Sequence, residues 1–154
     1  MEERSPFTRI LVPTDGSEPS ISAGLLAIRV AATHNVPLLF LYVVDSVATE
    51  KMASATSRSS EAVGQDLESK GRSYLDYLER MARRRGLNSE QMVRHGVPHR
   101  EIAEVARERG VDLIVVGLSG SHWPHRVDIG SVSKRVLESA PCPVLVARHT
   151  QQGR

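Results

Sequence analysis

Leu38-Leu39-Phe40-Leu41-Tyr42-Val43-Val44 is an apolar run in which no polar residue alternates with the apolar ones. A strand that faces water on one side alternates apolar and polar residues, whereas a strand covered on both faces does not. The run is therefore predicted to be an interior strand of a parallel sheet. This decides the fold class, because parallel strands need crossover connections, usually helices, between them.

Four further strands are predicted from shorter apolar runs. They lie at Ile10 to Val12, Met92 to Arg94, Val111 to Val116 and Val144 to Ala147, of which Met92 to Arg94 is the weakest. Segments with helical periodicity separate the runs, as in Ile21, Leu25 and Ile28, which recur at i, i+4 and i+7. The pattern predicts an α/β fold, a single doubly wound domain with a five-stranded parallel sheet in the order 3-2-1-4-5 and helices on both faces.

Capping residues predict where the helices begin and end. Ser17 is predicted to cap the first helix, with Glu18 and Pro19 in its first turn. Residues 46–60 are rich in Ser, Thr and Ala without periodicity, and they are predicted to form a mobile connection. A second helix is predicted to follow and to end at Gly86, and a third is predicted to begin at Pro98.

The composition is that of a chain able to bury one mainly aliphatic core. Its 154 residues are 40% hydrophobic and 4% aromatic, and its 20 basic side chains are nearly balanced by 18 acidic ones. The length predicts a single domain over residues 1–154. The balanced charge argues against a polybasic nucleic-acid-binding segment, so no nucleic-acid partner is expected.

The cysteine count and the N-terminal residues indicate the cellular compartment in which the protein is expected. The single cysteine, Cys142, excludes an internal disulfide framework and a cysteine-based zinc cluster. No stretch reaches the roughly 20 apolar residues that a membrane helix needs. Met1 to Ser5 carries acids where a signal peptide has a basic region. The protein is therefore expected to be cytoplasmic, with no membrane insertion.

Two loops are predicted to meet at one place on the sheet. Ligands of doubly wound sheets bind beyond the carboxyl ends of the strands, where the strand order reverses. Here that crevice lies between strands one and four, which are followed by Pro13 to Gly16 and by Gly117 to Gly120. Gly130 to Ser133 then begins a helix whose free N–H groups attract phosphate. Serine also caps helices and glycine also forms turns, so a purely structural role stays open.

The spacing of these glycines points to a family. Gly117 and Gly120 are followed by nine residues and then by Gly130-Ser131, which resembles the Gly-x2-Gly-x9-Gly-(Ser/Thr) pattern of the ATP-binding members of the universal stress protein family. Three further stretches are similar to that family: Ile10 to Ser17, Val111 to Gly117 and Ala140 to Val146. The resemblance covers residues 8–148, which is the expected extent of the domain core.

The resemblance implies a five-stranded α/β fold that binds ATP, with Mg²⁺ carried by the phosphates. It implies that Asp15 hydrogen-bonds the nucleoside and that the main chain of Val43 lines the adenine pocket. Pro13 and Thr14 are implied to shape the wall of that pocket. The residues implied to contact ribose and phosphates are Gly117, Gly120, Gly130, Ser131, Val132 and Ser133.

The expected function is that of a nucleotide-dependent regulatory or interaction module in the stress response. No base and nucleophile pair for ATP hydrolysis is evident, so no catalytic residue is assigned, although slow hydrolysis stays open. His122 and His125 lack the further ligands that a metal site needs, and no metal ligand is assigned. The final strand, Val144 to Ala147, is predicted to lie at the sheet edge and to pair with a second copy, giving a homodimer.

The segment Ser121 to Ile129 departs from the family pattern and keeps alternatives open. It carries Trp123 and Asp128 where relatives usually have a small basic and leucine-rich segment. One alternative is a member without nucleotide that serves as a structural or transporter-associated dimer. Another is a nucleotide-using transferase, which usually has a His-x-Gly-His signature after the first strand, where this chain has Pro13-Thr14-Asp15-Gly16.

Overall fold

The computed structural model describes residues 4–118 and 131–148. Its elements are, in order, β1 (Ile10–Pro13), α1 (Glu18–His34), β2 (Leu38–Asp45), α2 (Ser46–Thr56), α3 (Ser60–Arg84), β3 (Ser89–Gly96), α4 (Pro98–Glu108), β4 (Leu113–Leu118), α5 (Ser131–Ser139) and β5 (Val144–Arg148). The strands form one five-stranded sheet in the order β3-β2-β1-β4-β5. All neighbouring strands are parallel, which confirms the predicted doubly wound α/β fold.

The sheet separates two apolar cores, and β2 contributes to both. Leu38 and Phe40 pack with α1 and α3 on one face. Leu39 and Leu41 pack with α4 and α5 on the other face. Each of these four side chains is 2% exposed or less. Burial on both faces explains why the strand shows no alternation of apolar and polar residues.

Small residues let α1 lie close to the sheet and to α3. Ala23, Ala27 and Ala31 are fully buried. A Cβ atom at Gly24 would lie 2.7 Å from a methyl carbon of Leu78 in α3, so a larger residue there would push the two helices apart. The predicted cap is also present, because the Ser17 side chain accepts a hydrogen bond from the backbone N–H of Ser20.

The prediction of a mobile connection at residues 46–60 is wrong, because α2 occupies most of this segment. The carboxylate of Asp45 accepts hydrogen bonds from the N–H groups of Val47 and Ala48, which caps the helix. Only Thr49 and Ala53 are buried in α2. Such a narrow buried stripe of small residues leaves no recognisable apolar periodicity in the sequence.

The edge strand and the fourth strand differ in extent from the prediction. β3 has eight residues, where only Met92 to Arg94 was expected. It pairs with β2 along its whole length, yet its side chains are half-buried or exposed and mostly polar, so the apolar signal is weak. β4 begins at Leu113 and includes Gly117, which was expected to follow the strand.

Asp112 joins the chain before β1 to the chain before β4. Its carboxylate accepts hydrogen bonds from the N–H of Thr8 at 2.8 Å, from the Thr8 hydroxyl at 2.7 Å and from the N–H of Arg9 at 3.1 Å. In return, the N–H of Asp112 donates to the carbonyl of Arg9. Burial alone raises the pKa of Asp112, but the hydrogen bonds from Arg9 and Thr8 hold it below its usual value.

We expect Asp112→Asn to lower the free energy of unfolding by about 1 kcal/mol at pH 7, a modest value because the carboxylate is partly solvated. A lowered folded-state pKa stabilises the protein above the ordinary aspartate pKa, and this contribution is lost as the pH falls through the folded-state value. The variant and the wild type should therefore converge in urea denaturation as the pH falls below about 4.

The matched control is Glu90→Gln, which removes a carboxylate whose ion pair with Arg109 is exposed. It should change the free energy of unfolding by less than about 0.5 kcal/mol. A difference between Asp112→Asn and the wild type that stays constant from pH 7 to pH 3 would contradict the proposed role of the charge.

Candidate functional site

A cavity of about 410 Å³ lies at the carboxyl edge of β1, β2 and β4. Its volume is within the range of about 300 to 1,000 Å³ that is usual for small-molecule sites. Gly120 and Gly130 lie outside the described residues. The other eight residues of the predicted site all line this cavity: Pro13, Thr14, Asp15, Val43, Gly117, Ser131, Val132 and Ser133. The structure thus brings together residues from four separate parts of the chain.

The turn after β1 is held by side-chain hydrogen bonds. Thr14 is buried, and its hydroxyl lies 2.8 Å from that of Ser20. The same Thr14 oxygen accepts a hydrogen bond from the N–H of Gly16, and the Ser20 hydroxyl donates to the carbonyl of Ser17. Because these hydroxyls are engaged within the protein, Thr14 contributes shape to the cavity wall.

Asp15 both stabilises this turn and lines the cavity. Its Oδ1 atom accepts a hydrogen bond of 2.9 Å from the N–H of Ser17, which is the Asx turn typical of aspartate before a helix. No other hydrogen bond to this carboxylate is formed within residues 4–118 and 131–148. The side chain is exposed. Its second oxygen is therefore available to accept a hydrogen bond from a ligand.

Gly117 is required by packing between β4 and α1. A Cβ atom there would lie 2.4 Å from the carbonyl oxygen of Pro19 and 3.0 Å from the backbone nitrogen of Ser20. The carbonyl of Gly117 accepts a hydrogen bond of 2.9 Å from the hydroxyl of Ser133. The start of α5 is thereby fixed to β4, and this glycine serves the fold whether or not a ligand approaches it.

The first turn of α5 forms another part of the cavity wall. Ser131, Val132 and Ser133 are its first three residues, and all of them line the cavity. The first four N–H groups of a helix have no partner within the helix, and they attract anions. The segment that precedes this turn, including Trp123 and Asp128, lies outside the described residues.

Several other lining residues were not identified as site residues from the sequence. Ala48 and Met52 of α2, Leu67 of α3 and Tyr42 of β2 all line the cavity. The first two were missed because α2 itself was not predicted. Tyr42 did carry a signal, since it is one of only three tyrosines and has the only hydroxyl group in the apolar run from Leu38 to Val44.

The thiol of Cys142 is a reactive group that does not line this cavity. Cys142 is half-buried, and burial followed by the charge of Asp112 raises the pKa of its thiol, which disfavours the thiolate. Within the described residues, no three His, Cys, Asp or Glu side chains are grouped so that they could bind a metal ion.

No helix in residues 4–118 or 131–148 is long and apolar enough to span a membrane.

Comparison with protein families gives one match over most of the chain. The family model described as "Universal stress protein family" matches residues 6–148. Universal stress protein MJ0531 of Methanocaldococcus jannaschii is 34% identical over 142 residues, which cover 92% of this chain and 82% of that protein.

Solved structures show the same fold. The structure of MJ0577 from Methanocaldococcus jannaschii has a TM-score of 0.80 and 22% identity, covering 96% of this chain and 100% of that chain. A universal stress protein in complex with cAMP has a TM-score of 0.66 and 24% identity, covering 94% and 98%. One from Archaeoglobus fulgidus in complex with dAMP has a TM-score of 0.67 and 18% identity, covering 92% and 98%.

We expect Gly117→Ala to lower the free energy of unfolding by about 1 to 3 kcal/mol, because the added methyl group meets backbone atoms that cannot move aside easily. Urea denaturation without added ligand measures this change. The control is Gly64→Ala in α3, where the nearest atom would lie 3.9 Å away. That change should be neutral or should stabilise by up to about 1 kcal/mol. Equal stability of the Gly117 variant and the wild type would contradict the packing role.

Proposed function

The chain belongs to the universal stress protein family, and on this basis we propose that its cavity binds ATP and that the bound nucleotide controls a regulatory or interaction surface. The observation that carries the proposal is the convergence of the β1 turn, the end of β2 and the first turn of α5 on one cavity. The β1 turn offers a carboxylate, which suits a sugar, and the end of β2 offers main-chain groups, which suit a base. The first turn of α5 offers a helix N-terminus, which suits phosphates.

The proposed ATP lies across the ends of the strands. Its adenine packs beside Pro13 and Thr14 and contacts the main chain of Val43, while its ribose lies beside Asp15. Its phosphates, with the Mg²⁺ that they carry, lie at the first turn of α5, where Ser131 supplies an additional hydroxyl. Gly117, Val132 and Ser133 line the same region. Gly120 and Gly130 are proposed to complete the phosphate contacts.

We propose binding and regulation as the role, with no fast turnover. The two carboxylates of the described cavity wall belong to Asp15 and Asp45. Both accept hydrogen bonds from backbone N–H groups at the start of a helix. Each carboxylate thus stabilises the start of a helix, and no His or Lys lines the described part of the cavity to help activate water.

Helix α2 is the proposed link between the nucleotide and a partner. Ala48 and Met52 line the cavity, and Met52 is also substantially exposed. Val47 on the same helix is more exposed still. A ligand that contacts Met52 would favour one position of α2 over others and would thereby alter the apolar surface that a partner meets.

Homodimerisation through β5 is the second part of the proposal. β5 is at the edge of the described sheet, and three large apolar side chains on β5 and α5 are about 40% exposed: Leu145, Val132 and Leu137. The N–H of Ile114 donates to the carbonyl of Pro143. Because hydrogen bonds alternate along a parallel pair, the N–H groups of Val144 and Val146 point away from β4 and are available to a second copy.

We expect Val146→Pro to convert the dimer to a monomer, because proline removes an outward-facing donor without removing a hydrogen bond to β4. Size-exclusion chromatography with light scattering measures the mass. Val146→Ala keeps the N–H group and should remain dimeric. An unchanged dimer in the proline variant would exclude this edge as the interface.

We expect ATP to be released when the purified protein is denatured and its supernatant is examined by mass spectrometry. ATP added to the nucleotide-free protein at 100 times its dissociation constant should stabilise it by about 2.7 kcal/mol, which corresponds to a rise in melting temperature of about 5 to 10 °C. Gly130→Leu should remove this rise and keep the circular dichroism spectrum of the wild type.

Two results would overturn the proposal: no nucleotide in the supernatant, and a melting temperature that millimolar ATP does not change. The chain would then be better explained as a nucleotide-free structural dimer. The proposed compartment remains the cytoplasm, on the sequence features given above.

A further inference from the structure

Tyr42 is a lining residue of the cavity that carries a hydroxyl group, whereas the lining residues Ala48, Met52 and Leu67 carry no polar side-chain group. The residue is only 7% exposed, and it lines the cavity near the carboxyl end of β2. No residue within 4–118 or 131–148 forms a hydrogen bond with its hydroxyl group. A hydroxyl group at a cavity wall that no described residue engages can pair with a ligand atom, and this pairing would favour ligands that supply a matching polar group.

Close packing fixes the position of this ring. A Cβ atom at Gly71 would lie 2.1 Å from Cδ1 of Tyr42, so the ring lies directly against the α3 backbone. The ring of Tyr74 packs beside it, with the centroids 6.3 Å apart and the planes tilted by 52°. Tyr74 lies in turn against Gly16, where a Cβ atom would be 2.1 Å from its Cε2 atom. The Tyr42 hydroxyl is thus held in place before any ligand binds.

Asp15 lies two residues after Pro13, which pairs with Leu41 of β2, so Asp15 and Tyr42 come from the ends of neighbouring strands and line the same cavity. Burial raises the pKa of Tyr42, and Tyr74 and the negative charge of Asp15 raise it further. The phenol is therefore protonated at neutral pH and can donate a hydrogen bond. The second oxygen of Asp15 can only accept one. Tyr42 can thus donate a hydrogen bond and Asp15 can accept one, and both residues line the same cavity.

A sugar hydroxyl matches this pair better than the other parts of a nucleotide. A hydroxyl group accepts one hydrogen bond while it donates another, so it can pair with Tyr42 and Asp15 together. A phosphate oxygen would be repelled by the Asp15 carboxylate. The first turn of α5 is the better place for phosphate.

We propose that the Tyr42 hydroxyl donates a hydrogen bond to a ribose hydroxyl of the bound nucleotide, whose own proton is accepted by Asp15. Tyr42 then acts as a specificity-determining residue that favours ribonucleotides over deoxyribonucleotides. This inference rests on the proposed binding of ATP, and it adds to that proposal a residue on the wall that the glycine pattern does not include.

The test compares ATP with 2′-deoxyATP and 3′-deoxyATP by isothermal titration calorimetry. Tyr42→Phe keeps the ring and removes only the hydroxyl, so its melting temperature without ligand should stay close to that of the wild type. We expect it to bind ATP about 3- to 10-fold more weakly than the wild type. With the analogue that lacks the contacted hydroxyl, the variant and the wild type should bind equally.

Tyr74→Phe is the matched control, because Tyr74 packs against Tyr42 but does not line the cavity. It should bind all three nucleotides as the wild type does. Equal ATP affinity of Tyr42→Phe and the wild type would overturn this inference and leave ATP binding intact. A loss that is the same for ATP and for both analogues would also overturn it. Failure of the wild type to bind any of the three would overturn both proposals.

Discussion

Burial of β2 on both faces is the constraint on which the rest of the structure depends. The apolar side chains on the two faces of β2 are shielded from water because helices cover each face of the sheet. Helices on both faces are typical of a parallel sheet with crossover connections. β2 is also paired along β1 and along all of β3. Its position therefore fixes where β1 ends, and with it the turn that carries Asp15. At its own carboxyl end, Tyr42 and Val43 reach the cavity from opposite faces of the sheet.

The cavity depends on close contacts that involve no ligand. Gly117 allows β4 to touch the start of α1, and Gly71 allows Tyr42 to lie against α3. The carboxylates of Asp15 and Asp45 bond the backbone of the helices that follow them. A site built in this way is largely preformed, because the same contacts that stabilise the fold also hold the lining groups in position. Preformed groups lose less conformational entropy when a ligand binds.

Strongly apolar or clearly capped segments were predicted well from the sequence. The interior strands, the Ser17 cap and the strand order follow from patterns in neighbouring residues and from general rules of α/β topology. α2 was missed because its buried residues, Thr49 and Ala53, are too small to form an apolar stripe. β3 was underestimated because an edge strand is stabilised mainly by backbone pairing with β2, which leaves little trace in its side chains.

The sequence by itself determined the fold class, the edge of the sheet where the cavity lies, and many of the residues that line that cavity. It did so because burial and capping depend on residues that are near one another in the chain. Tertiary structure alone decided that Asp15 and Tyr42 share a cavity, that Tyr74 packs against both Tyr42 and Gly16, and that residues of α2 line the same cavity. Periodicity indicates which face a residue occupies, but the packing of distant elements selects its neighbours.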